Sequence, residues 1–201
     1  MNRSNKSYPV LPMLIAGALA LSGCDAFAPA PEPPLAGAAI GGDFALTNSK
    51  GETVRWGDFA GKYRIVYFGY AFCPDICPTD MQRVAQGLKV LKAKDADKAA
   101  KITPIFITID PERDTRQVVG EFAAAFSPDI VGLTGTPEQI AATAKTFKVF
   151  FAKGEPVEGG GYLMDHSNIV YLFGPDGAPL ATLPVDQGPD AVAAELDKWV
   201  S

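Results

Sequence analysis

The sequence predicts an α/β domain: a central sheet, largely buried, with helices packed over it. Two observations lead there. The runs Tyr63–Tyr70 (YRIVYFGY) and Ile102–Ile109 (ITPIFITI) are apolar on both faces, as strands are when both sides of a sheet are covered. Each is followed by a segment whose apolar residues recur at helical spacing, and strands alternating with helices define this layered class.

The elements follow in order. Asp43–Thr47 and Thr53–Trp56 read as a hairpin around the turn Asn48-Ser49-Lys50-Gly51. After the first buried strand, Met81, Val84, Ala85, Leu88 and Leu91 form one helical stripe. Thr79 and Asp80 sit where a helix start prefers capping and acidic side chains. Pro104 weakens the start of the second strand. Val118, Val119, Phe122 and Phe126 mark the next helix. Ile130–Leu133 is a short strand, and Pro137 opens a helix carrying Ile140, Ala144 and Phe147. Asn168–Phe173 is a strand, Gly174-Pro175-Asp176-Gly177 a turn, and Leu180–Leu183 pairs back across it. Val192, Leu196, Trp199 and Val200 line a closing helix. A β-α-β half followed by a β-β-α half, with a small β-α insertion and an N-terminal hairpin, is the thioredoxin-like arrangement.

Composition narrows the function classes. The chain has 201 residues, 47% of them hydrophobic and 20% charged, with three cysteines and one histidine. That suits a globular domain and excludes a disordered chain, a dense disulfide scaffold and a multi-histidine metal cluster. A net charge of −5 gives no basic footprint for nucleic acid.

Residues 1–23 read as an export signal. Arg3 and Lys6 form a positive start, and the apolar run Val10–Leu21 is shorter than the ~20 residues that span a bilayer. Leu21-Ser22-Gly23-Cys24 looks like a bacterial lipobox, in which Cys24 is lipidated and becomes the mature N-terminus. Removing Arg3 and Lys6 takes the net charge from −5 to −7. Residues 24–39, which include AFAPAPEPP, read as a Pro/Ala-rich tether, with the folded domain over residues 40–201. The expected place is the periplasmic side of a bacterial inner membrane, held there by lipid.

The chemistry gathers around the two remaining cysteines. Cys73-Pro74-Asp75-Ile76-Cys77 joins a buried strand to a helix N-terminus, whose free N–H groups favour a thiolate and should lower the thiol pKa. Two cysteines four apart in a turn can also approach disulfide distance. His166, in Asp165-His166-Ser167, precedes the strand that flanks the cysteine turn in a thioredoxin-like layout. Thioredoxins carry a cis proline there. An imidazole facing two thiolates offers two sulfurs and one nitrogen, a set suited to copper. Structural zinc wants four ligands, and the fourth would be water or a carboxylate such as Asp75 or Asp80.

The stretches Tyr67–Pro78 (YFGYAFCPDICP), Asp110–Thr115 (DPERDT) and Tyr162–Ser167 (YLMDHS), followed by the Gly174–Gly177 turn, resemble the Sco/SenC family of copper proteins. The resemblance runs from about residue 40 to the end. It implies a thioredoxin-like fold with one copper, as Cu(I) or Cu(II), held by Cys73, Cys77 and His166. It also implies a role in passing copper to, or reducing the thiols of, the Cu-A site in cytochrome c oxidase subunit II. A periplasmic copper donor and a thiol reductant are implied partners. Many family members use a membrane helix where this chain has its lipobox. Asp110–Thr115 is expected to support the site without ligating: Asp114 could cap the following helix and Arg113 could be an ion-pair partner. Two other functions compete. A copper-independent thiol–disulfide oxidoreductase would use Cys73 and Cys77 but leaves His166 unexplained. A peroxidase would need a Pro-x-x-x-Thr-x-x-Cys turn, and the residue three before Cys73 is Tyr70.

Overall fold

The computed structural model describes residues 31–157 and 160–201. The signal segment, Cys24 and the first part of the tether lie outside the described residues. Among the described residues no helix is long and apolar enough to cross a membrane.

Nine strands and five α-helices are present among the described residues: β1 (Ala45–Asn48), β2 (Thr53–Arg55), β3 (Tyr63–Gly69), α1 (Ile76–Lys94), α2 (Ala96–Ala100), β4 (Ile102–Thr108), α3 (Arg116–Phe126), β5 (Val131–Thr134), α4 (Pro137–Thr146), β6 (Phe151–Pro156), β7 (Tyr162–His166), β8 (Val170–Phe173), β9 (Pro179–Thr182) and α5 (Pro189–Trp199). Seven strands form one sheet in the order β2-β1-β5-β4-β3-β8-β9. β3, β4 and β5 run parallel, while β1, β8 and β9 join antiparallel. This is the thioredoxin-like architecture the sequence predicts.

β3 is buried along its whole length, and its alternate residues serve two cores. Tyr67 and its register partner Phe106 face one side, where Phe106 meets Phe122 of α3. α1 and α5 pack together closely because residue 87 is glycine: a Cβ there would come within 2.5 Å of Val192 Cγ1. Phe68 faces the other side and joins Phe147, Phe173, Trp56 and Phe44 in an aromatic cluster after α4. α4 starts with the expected Pro137 and a reciprocal cap between Thr136 and Gln139.

Three expectations are corrected. Thr79 and Asp80 do not cap α1: the N-cap is Asp75, the Thr79 hydroxyl donates to the Asp75 carbonyl, and Asp80 is buried. Asp114 does not cap α3. Thr115 does, accepting from Val118 N–H, while Asp114 turns inward. The Asn168–Phe173 strand begins only at Val170, because the chain before it belongs to a separate two-stranded sheet, β6–β7. At the other end, Leu35 N–H donates to the Leu180 carbonyl, so the chain meets the domain within the stretch read as tether.

Candidate metal centre

β3 delivers the chain into the cysteine turn, and neighbouring loops hold that turn in shape. The Gly69 carbonyl accepts from Ile109 N–H at 2.8 Å, and the Tyr70 carbonyl accepts from Cys73 N–H at 3.2 Å. Ala71 N–H donates to Asp114 Oδ2 at 2.9 Å, and the Thr108 hydroxyl donates to the same oxygen at 2.6 Å. Asp114 therefore braces the turn from behind, the supporting role expected of its segment. Burial pushes its carboxyl pKa up, and the Thr108 and Ala71 hydrogen bonds oppose that.

The two sulfurs occupy different depths. Cys73 is 9% exposed, and its Sγ accepts Cys77 N–H from the first turn of α1 at 3.4 Å. Cys77 is fully buried, with its sulfur lying against Gly69. Both are free thiols. The expectation of a lowered thiol pKa is corrected for Cys77: burial, reinforced by the hydrogen bond with Cys73, drives it strongly upward. Desolvation of the charged form outweighs the helix end at this depth. A bound metal would reverse that balance, because a ligating thiolate is compensated by the metal's own charge.

Gly69 makes room for the buried sulfur. A Cβ at position 69 would lie 2.9 Å from the Tyr67 ring, 3.0 Å from Cys77 Sγ and 3.1 Å from the Phe106 ring. Gly69→Ala will lower stability by roughly 1–3 kcal/mol, the usual cost of overpacking a core. It will also change how quickly the two thiols close to a disulfide. Urea denaturation and a timed thiol assay check both, and an unchanged midpoint would show that the strand simply shifts aside.

His166 ends β7 beside these thiols. Its Nε2 lies 3.4 Å from Cys77 Sγ, and its Nδ1 lies 3.0 Å from the Ser167 carbonyl. A carbonyl only accepts, so Nδ1 carries the ring proton, and in the neutral imidazole the Nε2 lone pair faces the sulfur. Burial lowers the imidazole pKa, against opposing contributions from the Ser167 carbonyl and Asp80. The rings of Tyr67 and Tyr70 meet the imidazole edge-on, with centroids at 6.3 and 6.0 Å. Ser167 ties the end of the hairpin together, its N–H to the Phe150 carbonyl and its Oγ accepting Phe150 N–H.

Beneath lies a buried polar group that the sequence did not bring together, although it singled out Asp80. The Tyr67 hydroxyl sits 3.3 Å from Asp80 Oδ2 and 3.4 Å from Asn168 Oδ1. Burial raises the Asp80 pKa, with Tyr67, Arg83 and His166 opposing. A tyrosine hydroxyl within a buried strand run and a carboxylate just ahead of the apolar helix stripe were the available signal. Asp80, considered as a fourth zinc ligand, is instead a partner of Tyr67, and Asp75 is the helix N-cap.

The structure thus brings Cys73, Cys77 and His166 together as neighbours. Among the described residues no three Cys, His, Asp or Glu side chains already stand close enough together to hold a metal ion. Two sulfurs and one oriented imidazole nitrogen form a donor set that fits a soft or borderline metal, and the hydrogen bond on Nδ1 is the outer contact such histidines normally have.

A model of the SCO1/SenC family matches residues 32–201. The chain belongs to the SCO1/SenC family. The mitochondrial SCO1 homolog of Homo sapiens is 38% identical over 138 residues, covering 69% of this chain and 45% of that protein. The SCO2-like protein of Rickettsia felis is 37% identical over 172 residues, covering 81% of this chain and 82% of that one. The structure of Bradyrhizobium japonicum ScoI with copper bound superposes with a TM-score of 0.72 at 34% identity, over 81% of this chain and 100% of that chain. The chain spans about half the length of the mitochondrial relatives it matches.

Proposed function

We propose that this protein binds one copper ion through Cys73, Cys77 and His166 and passes it on as cargo during cytochrome c oxidase assembly, with the Cu-A site of subunit II as recipient. The observation that carries the reading is the His166 Nε2 lone pair directed at Cys77 Sγ, beside a second thiol at the same helix start. Simple disulfide exchange does not require that nitrogen, whereas it completes a ligand set. The copper-bound ScoI of Bradyrhizobium japonicum supports it. The residues' own task is to present two deprotonated sulfurs and one neutral imidazole, which is why the imidazole's depressed pKa helps.

The same dithiol can act on a recipient's disulfide. Closing Cys73–Cys77 releases two electrons and two protons, and these convert one partner disulfide to two thiols. A closed disulfide offers no thiolate to copper, so a reductant must act first. The deciding measurement is copper stoichiometry. The reduced protein will hold one copper and the oxidised protein essentially none. Equal, weak binding in both states would leave only the oxidoreductase role.

The proposed location is the periplasmic side of the inner membrane, reached by lipidation at Cys24. Mass spectrometry of the membrane fraction will show an acylated Cys24 as the first residue. An intact Met1 would refute the lipid anchor while leaving the copper site untouched.

A further inference from the structure

His166 rides on an arm that the main sheet does not hold. Among the described residues β6 and β7 pair only with each other, and no ladder joins them to the seven-stranded sheet. The underside of the arm meets the body through Phe151 and Met164, half-buried against the core, but the packing there is incomplete. A cavity of about 160 Å³ lies there, lined among others by Ile109, Pro111 and Ile140 of the body and by Phe151 and Met164 of the arm. Something else must fix the distance from His166 to the cysteines.

The contact that ties the middle of β7 to the cysteine turn most extensively is a single guanidinium. Arg113 lies with its Cζ 3.7 Å from the centre of the Tyr162 ring, and its Nη1 donates to the Tyr162 carbonyl at 2.8 Å. Its Nε donates to Asp110 Oδ2, and the Tyr162 hydroxyl donates to Asp110 Oδ1 at 2.8 Å, closing a loop of contacts. On the other side the same Cζ stands 5.2 Å from the Phe72 ring centre and 5.8 Å from that of Tyr70, the residues just before Cys73. Nη2 is buried without a hydrogen-bond acceptor, leaving the aromatic faces as its partners. Tyr162, Met164 and His166 alternate onto the inward face of β7. A hold on Tyr162 is therefore a hold on the strand that ends in the imidazole. The other ties are slighter: Lys153 to Glu112 is exposed at both ends and contributes little, the Tyr162 hydroxyl reaches Glu112 Oε2 only at 3.3 Å, and the imidazole meets Cys77, Tyr67 and Tyr70 through its ring alone.

We infer that Arg113 is the positioning residue of the metal centre: stacked between Tyr162 and the Tyr70–Phe72 segment, it clamps the β6–β7 arm and so sets His166 against the cysteine turn. The inference rests on the copper reading for its consequence but not for its geometry. A planar guanidinium can stack on two sides while donating in its own plane, which an ammonium cannot do.

The test compares Arg113→Met, Arg113→Lys, Tyr162→Leu and the double variant Arg113→Met/Tyr162→Leu in the reduced protein. The first readout is amide hydrogen exchange without metal. In Arg113→Met the amides of residues 151–156 and 162–166 will exchange about tenfold faster or more, while those of β3 and β4 stay unchanged. Arg113→Lys will recover less than half of that protection. The second readout is affinity for Cu(II) and Cu(I) ions separately. Arg113→Met will weaken Cu(II) about 10- to 100-fold, as losing an outer-sphere partner does, and Cu(I) much less, because the cysteine turn keeps its thiols. The double variant will be no worse than the weaker single, since both remove one contact. Unchanged arm exchange in Arg113→Met, or a loosened arm with unaltered Cu(II) affinity, overturns the inference, as does full rescue by lysine. If Arg113→Met does not fold, Arg113→Lys and Tyr162→Leu must show the same arm-specific exchange for the inference to stand. Should the wild type bind no copper, the function reading fails, and the exchange data alone decide the clamp.

Discussion

Cys77→Ser will bind copper more than about 100-fold more weakly than the reduced wild type, and Cys73→Ser will do the same. Loss of an outer-sphere partner commonly costs about 10- to 100-fold, and these changes remove a ligand itself, replacing a soft thiolate with a hard hydroxyl. The two variants will differ in stability. Cys77 is fully buried, its sulfur against Gly69, so a serine there places a smaller, more polar hydroxyl in a site shaped for sulfur, with His166 Nε2 beside it. Cys73 lies nearer the surface, so Cys73→Ser will melt closer to the wild type. The wild-type thiols will also differ in reactivity. An alkylating reagent will label Cys73 well before Cys77, whose thiol is both shielded and held protonated by burial. Competition against a chelator of known affinity measures the first effect, and mass spectrometry of partly alkylated protein measures the second. Wild-type copper affinity in either serine variant would remove that sulfur from the ligand set.

The main sheet was legible because its strands are buried on both faces and its helices carry regular stripes. β3 and β4 fall within one residue of their expected limits, while α1 contains its expected stripe but begins earlier, at Ile76. What sequence patterning missed was the β6–β7 arm. Its inward residues, Tyr162, Met164 and His166, alternate with Leu163 and Asp165 over only five positions. Its other strand carries Lys153, Gly154 and Pro156, which read as loop. The glycines at 159–161, ahead of that alternation, were the turn signal that could have exposed it. Local rules failed most at the ends of helices. Asp80 and Asp114 have the residue type of caps, yet both point into the interior, where Tyr67, and Thr108 with Ala71, need acceptors. Such choices are set by the folded position of partners 6 to 43 residues away, which residue type alone does not reveal. The three candidate ligands were legible for the opposite reason: scarce residue types at a strand–helix junction and before a strand have few alternative duties.

His166→Ala will separate the two copper states. Cu(I) is content with two thiolates, whereas Cu(II) prefers more ligands and nitrogen among them. The substitution will therefore lower Cu(II) affinity by a factor of 100 or more (about 3 kcal/mol), and Cu(I) affinity by roughly tenfold or less. The disulfide between Cys73 and Cys77 will still form and reduce, because neither sulfur is bonded through the imidazole. A pH series adds an independent reading. Burial holds the folded imidazole below its ordinary value of 6.5. The unfolded chain therefore takes up the proton first as pH falls, and the folded state loses stability relative to it. This contribution is fully present above pH 6.5 and is lost as pH drops through the folded value. Reduced, metal-free wild type will lose more stability between pH 7.5 and pH 5 than His166→Ala does, as read from urea midpoints at the two values. Parallel curves would show that the imidazole titrates as it does in water and is not packed beside the thiols. Equal losses of Cu(I) and Cu(II) affinity would mean that His166 shapes the cysteine turn and does not ligate. The split, with a steeper pH dependence in the wild type, is the result expected of a neutral ligand held by the Ser167 carbonyl with its free nitrogen toward Cys77.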